Sequence, residues 1–163
     1  MRKLTGFTLI ELLITITIAA ILAAVAAPSF SRLIRDTRMT TSANSLVSVL
    51  NLARSEAAKR GANVLVQADS GTTAWASGWT VYVDTNGNAT PDAGEVTRVS
   101  EALDGPLTLA ASVAVVQFRP TGTTTVAPTV VTFDLCNDRP AEPDRRISIS
   151  ATGHVSVATI TCP

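Results

Sequence analysis

Four groups of side chains in this 163-residue sequence have types and spacings that could do chemistry. The first is Glu11, the only charged side chain between positions 7 and 27 of an otherwise apolar run. The second is the cysteine pair, Cys136 and Cys162. The third is a row of oxygen-bearing residues, Asp84, Asn86, Asn88, Thr90, Asp92 and Glu95, at positions 1, 3, 5, 7, 9 and 12 of a calcium-loop spacing. The fourth is Arg145-Arg146, two guanidinium groups able to contact phosphate. His154 is the lone histidine, in an expected strand with no nucleophile motif beside it. There is no Gly-x-Ser-x-Gly, no phosphate-cradling glycine loop and no dinucleotide fingerprint, so no enzyme and no cofactor are expected.

Each group has a structural competitor. A carboxylate in a membrane helix costs ~2.5–3.5 kcal/mol near the bilayer centre and less near the interface, so Glu11 calls for a partner. In the calcium spacing the glycine expected at position 6 is Ala89, with Gly87 at position 4, and strands rather than helices flank the segment. Asp, Asn, Gly and Pro also build ordinary hairpin loops. Arg145 and Arg146 sit among Asp138, Glu142 and Asp144, where a solvated strand edge competes with a phosphate contact. The two cysteines are a natural disulfide if this part of the chain lies outside the cytoplasm, and two buried thiols otherwise. Such a bond would close a loop of roughly 25 residues and contribute ~3 kcal/mol in the chain-entropy model. Zinc lacks a third sulfur ligand.

These groups need elements to hold them. The apolar run is long enough to cross a bilayer as a helix, at ~1.5 Å per residue over ~30 Å. Pro28 ends the purely apolar stretch and predicts a kink. Ala43, Leu46, Leu50, Ala53 and Ala57 then recur at helical spacing, and Lys59-Arg60-Gly61 is a helix stop. The spacing therefore predicts one kinked helix over 7–60. From Asn63 onward the chain reads as strands at 63–68, 78–84, 96–101, 107–111, 113–119, 129–136, 146–151 and 154–161, rich in valine, isoleucine and threonine. Trp79, Val81 and Val83 share one face, Val131, Phe133 and Leu135 another, and Ile147 and Ile149 alternate with polar residues; Thr152-Gly153 predicts a tight hairpin. The fold class is α+β, with the long helix, its first half transmembrane, packed on an antiparallel head of two small sheets.

Gly6-Phe7-Thr8-Leu9-Ile10-Glu11 resembles the processing site of type IV pilins and type II secretion pseudopilins. The resemblance implies that prepilin peptidase cuts between Gly6 and Phe7 and methylates Phe7. It also implies that Glu11 pairs with the N-terminal amine of a neighbouring subunit, an arrangement that makes a buried carboxylate tolerable. A secretory signal peptide and a plain anchor are the alternatives; neither requires that hexapeptide. The eight short strands, the late cysteine pair, and the Trp79 strand with Asp84–Glu95 after it resemble the GspH/FimT branch of minor pilins. Some FimT-like members bind DNA in natural transformation through a Gly-Arg-x-Arg motif. The matching place here, Gly153-His154-Val155-Ser156, lacks both arginines.

The resemblance implies a leader over 1–6, a transmembrane and assembly segment over 7–28, an amphipathic helical half over 29–61 and a periplasmic head over 62–163. Other pilins, prepilin peptidase and inner-membrane lipids are the expected partners, with DNA as an alternative. Formal net charge is zero, and eleven basic against thirteen acidic side chains remain once Arg2 and Lys3 are removed, which excludes a general nucleic-acid binder. Charge does not fix orientation, because Arg32, Arg35 and Arg38 flank the far end of the apolar run. Those arginines are expected to meet lipid headgroups or solvent. An inner-membrane, head-outward placement, followed by a pilus or pseudopilus near its tip, is therefore an implication of the resemblance and the cysteines.

Overall fold

The computed structural model describes residues 7–125, 130–139 and 142–162, except the side chain of Pro28. The chain divides into two compact units, Met1–Thr37 and Arg38–Pro163. Helix α1, Leu9–Arg60, begins in the first and ends in the second. Its assignment continues through position 28, where proline was expected to bend the axis.

In the first unit the large apolar side chains from Phe7 to Ile34 are all exposed. The segment is long and apolar enough to cross a membrane. Its hydroxyls do not spoil that character. Thr15 and Thr17 donate to the carbonyls of Leu12 and Leu13, at 2.8 and 2.7 Å, and Ser31 donates to Ala27 at 3.1 Å. Polar groups satisfied within the helix need no water.

In the second unit the helix turns amphipathic. Ala43, Leu46, Leu50, Ala53 and Ala57 are buried as their spacing predicts, and Met39 and Val49 widen the stripe. The helix stops where glycine follows it. Gly61 takes φ +64° and its N–H closes on the carbonyl of Ala57 at 3.0 Å.

The remainder of this unit is eight strands: β1 (Asn63–Ala68), β2 (Trp79–Asp84), β3 (Val96–Ser100), β4 (Thr108–Ala111), β5 (Val115–Phe118), β6 (Val130–Cys136), β7 (Asp144–Ser150) and β8 (Val155–Ile160). All eight expected strands form, with ends shifted by a residue or two. They make two four-stranded sheets, β3-β2-β1-β5 and β4-β6-β7-β8, in which every pairing is antiparallel. The alternating faces read from sequence hold: Trp79, Val81 and Val83, Val131, Phe133 and Leu135, and Ile147 and Ile149 are all buried.

Trp75 lies outside any strand yet sits at the centre of the core. It is fully buried, packs edge-on to Phe133 with ring centroids 4.9 Å apart, and donates its Nε1–H to the Val113 carbonyl at 2.9 Å. No hydrophobic period announces it. A loop residue becomes core only because the chain crosses from one sheet to the other beside it.

Candidate functional site

The N-terminal site begins with how the helix starts. Thr8 is its N-cap. Its hydroxyl accepts from the Glu11 N–H at 3.3 Å, while Glu11 Oε2 accepts the Thr8 N–H at 3.2 Å and the Thr8 hydroxyl at 3.1 Å. This is a capping box, Thr-x-x-Glu, which satisfies two backbone donors that the first turn leaves open. Thr8-Leu9-Ile10-Glu11 carries this spacing in the sequence itself, beside the assembly contact expected of Glu11. The carboxylate near the start of the apolar helix is thus held by its own chain. Phe7 stands 82% exposed beside it. Gly6, the other half of the expected cleavage site, lies outside the described residues.

The two cysteines meet. Cys136 at the end of β6 and Cys162 after β8 form a disulfide with Cα atoms 6.0 Å apart. A feature the sequence reading missed lies beside it. Asp144 is buried at the start of β7, and its Oδ1 accepts from the backbone and side-chain nitrogens of Asn137 at 2.9 and 2.8 Å. Its Oδ2 accepts from the Cys162 N–H at 2.8 Å. One carboxylate therefore clamps the chain next to both cysteines. Asp144, Cys136 and Cys162 lie close enough together to suggest a metal group, but the sulfurs are consumed in the disulfide.

The segment between β2 and β3 closes on itself. Asp84 accepts from the N–H groups of Gly87 and Ala89, at 2.7 and 3.3 Å. Asp92 Oδ2 accepts from the amides of Asn86 and Asn88, at 2.8 and 2.7 Å, which holds its carboxyl below the ordinary range. Glu95 Oε1 accepts the hydroxyl and the N–H of Thr85, and these bonds lower its pKa likewise. Ala89 takes φ +56°, the left-handed turn that glycine was expected to supply. Among the described residues, Asp84, Asp92 and Glu95 do not converge as a three-carboxylate group.

The loop has a packing role instead. Leu65 and Tyr82 are paired across β1 and β2 on the face away from the main core, yet both are buried. The loop reaches this face through Ala89, whose carbonyl accepts the Tyr82 hydroxyl at 2.8 Å. Burial, and then the carboxylates of Asp84 and Glu95, push the Tyr82 hydroxyl up to about 12.

The two basic candidates are occupied by neighbours. Arg146 makes a two-bond fork with Asp134 on β6, at 2.6 and 2.7 Å, which raises its pKa. Arg145 donates to the Thr159 hydroxyl at 3.1 Å. His154 opens the β7–β8 hairpin on the surface.

Comparison with known proteins agrees with this arrangement. A family described as type II transport protein GspH matches residues 42–153, and a prokaryotic N-terminal methylation motif matches residues 1–27. No curated protein sequence matches the chain. Among solved structures, the type IV minor pilin FimU of Pseudomonas aeruginosa superposes in two crystal forms. One gives a TM-score of 0.60 at 26% identity over 73% of this chain and 91% of that one. The other gives 0.64 at 24% over 76% and 90%. The minor pseudopilin EpsH from the type 2 secretion system of Vibrio cholerae gives 0.57 at 16% identity over 75% and 97%, a likeness of fold. With the end of α1 and the β head matched over residues 42–153 and a methylation motif at its start, the chain belongs to the GspH family of minor pilins and pseudopilins.

Proposed function

We propose that this chain is a non-enzymatic minor subunit of a type IV pilus or type II secretion pseudopilus. Prepilin peptidase cuts after Gly6 and methylates Phe7. The mature chain waits in the inner membrane with its head in the periplasm, and its helix then packs among those of other pilins. Glu11 accepts the Phe7 ammonium of a neighbour. The observation that carries this reading is the exposed apolar helix that begins two residues after Phe7 and bears one capped carboxylate, Glu11. Burial of that surface among other helices drives assembly, and an ion pair offsets the cost of taking the carboxylate out of water.

Intact-mass analysis of the membrane-extracted protein tests it. A chain starting at Phe7 with one added methyl group is the expected result. A chain starting near Ala27 would mean a cleaved signal peptide and would end the proposal.

DNA uptake is the alternative function. It draws on Arg145 and Arg146, but the fork commits two Arg146 donors to Asp134 and sets a carboxylate where a phosphate would approach. Gel-shift titration at low salt is expected to show no retardation. A shift abolished by Arg145→Ala/Arg146→Ala would make DNA the ligand.

A further inference from the structure

The four edge strands of the head are not treated alike. The outer edge of β4 is covered by the segment before β2, where Trp75 donates to Leu109 at 2.7 Å and Ala111 to Thr73 at 2.8 Å. The outer edge of β5 is covered by the segment after it, where Arg119 donates to Thr123 at 2.8 Å and Thr125 to Gln117 at 3.2 Å. The β3 edge carries Arg98, follows Glu95, and has a register shift against β2 between Val81 and Tyr82. Covering segments, charges and irregular register are the usual means of keeping a sheet edge from pairing with another chain.

The β8 edge has none of these. Its sequence is Val155-Ser156-Val157-Ala158-Thr159-Ile160, without charge, proline or glycine. Among the described residues no backbone hydrogen bond reaches its outer side. Ser150 donates to the His154 carbonyl at 3.0 Å, and the alternation of an antiparallel ladder then turns the N–H and C=O groups of Val155, Val157 and Thr159 away from β7. Val155 and Val157 lie on the core face, opposite the buried Ile149 and Ile147, yet Val157 is 48% exposed. The core face of the second sheet runs past its own cover.

We propose that the β8 edge pairs antiparallel with β8 of a second copy of this chain, with Val157 on the two-fold axis. That register sets Val157 opposite its own copy and Val155 opposite Thr159, so the outward N–H and C=O groups of all three find partners. It buries Val157 against Val157 and continues the apolar face from one head to the next. Ser156 meets Ala158 on the other face, where both are small enough to keep the joined sheet smooth. Charge permits the match. No charged residue lies within β8, Arg146 is paired with Asp134, and Arg145 is turned to Thr159. A strand edge rejects a copy chiefly through like charges placed opposite one another, and this register sets Thr159, with Arg145 upon it, opposite Val155 of the other copy and not opposite its own.

Site-directed cross-linking of the full chain in its native membrane tests the pairing. Val157→Cys is expected to give a disulfide-linked homodimer on mild oxidation. Val99→Cys, on the β3 edge and more accessible, with Val99 at 62% exposure, is expected to give none. Val157→Pro removes only an outward N–H, so it should keep the β7 ladder while losing the dimer trapped by Ser156→Cys/Ala158→Cys. Equal cross-linking at Val157 and Val99 would overturn the proposal, because it would report collision or helix association. Cross-linking of Val157→Cys only to a different protein would assign the edge to a heterologous strand and overturn self-pairing. A dimer that persists in the natively folded Val157→Pro variant would do the same.

Discussion

The α-carbon of Gly153 faces the carbonyl oxygen of Gly122, so close that a Cβ built on Gly153 would overlap it. Arg54 of α1 closes the third side, donating its Nε–H to the same carbonyl at 3.0 Å. The β7–β8 hairpin, the turn at Gly122 and the helix are therefore locked at one point. Gly153 also takes φ +76°, a conformation that side chains resist. Gly153→Ala is expected to cost about 2 kcal/mol or more, from overlap and backbone strain together. Arg54→Ala should cost about 1.5–3 kcal/mol, the worth of a hydrogen bond to a charged group. Denaturant melts followed by tryptophan fluorescence would measure both, since Trp75 and Trp79 are buried in the core. The glycine in the place matching a DNA-binding motif thus has a packing reason that holds whether or not the protein meets DNA.

Glu11 is expected to separate two roles. Glu11→Gln keeps the capping geometry, because glutamine also caps from this position, but it removes the charge. Glu11→Ala removes both. Assembly into a fibre, assayed by co-purification with other pilin subunits, should fail in both variants. Fraying of the first helical turn, read by amide hydrogen exchange at Thr8 and Leu12, whose N–H groups are bonded to the Glu11 carboxylate and the Thr8 carbonyl, should rise only in Glu11→Ala. Normal assembly of Glu11→Gln would remove the ion-pair role.

The loop after β2 makes a pH prediction. Hydrogen bonds from Thr85 hold the Glu95 carboxyl below its ordinary value of 4.5 in the folded chain. As acid is added, the unfolded chain takes up this proton first. The stabilisation is therefore complete above pH 4.5 and lost as pH falls through the lowered folded value. Asp92, held down by Asn86 and Asn88, acts in the same direction from its own value of 3.8. Melting temperature should fall below this range, and the fall should be shallower in Glu95→Gln. Because these carboxylates already accept bonds within the loop, millimolar calcium is expected to leave the melting temperature unchanged; a rise on adding calcium would show that the loop rearranges to bind it.

Reduction of Cys136–Cys162 should lower stability by about 3 kcal/mol, given a sequence separation of 26 residues. The C-terminal segment should nevertheless stay docked, because Asp144 still holds Asn137 and Cys162. Asp144→Ala is expected to cost about 2–3 kcal/mol by leaving these donors unpaired. Combined with loss of the disulfide, it should release β8. Hydrogen exchange at Val155–Ile160 in the single and double variants would show whether the two losses add.

The sequence by itself determined the parts that depend on neighbours along the chain. Helical spacing placed Leu46, Leu50 and Ala53 in the core, alternation placed Phe133 and Ile147 there, and a basic last turn before Gly61 ended the helix. Gly6-Phe7-Thr8-Leu9-Ile10-Glu11 pointed to the family because its meaning is local and its spacing fixed. Tertiary structure alone decided what depends on residues far apart. Trp75 is core because two sheets meet beside it. Asp144 became a clamp because β6, β7 and the C-terminus converge there, and Gly153 is required because Gly122 and Arg54 press against it. Arg146 lost its claim on phosphate when Asp134 came to lie opposite it on β6. A carboxylate, a glycine and an arginine carry no periodic signal. Their roles are set by which distant groups the fold brings within hydrogen-bonding reach.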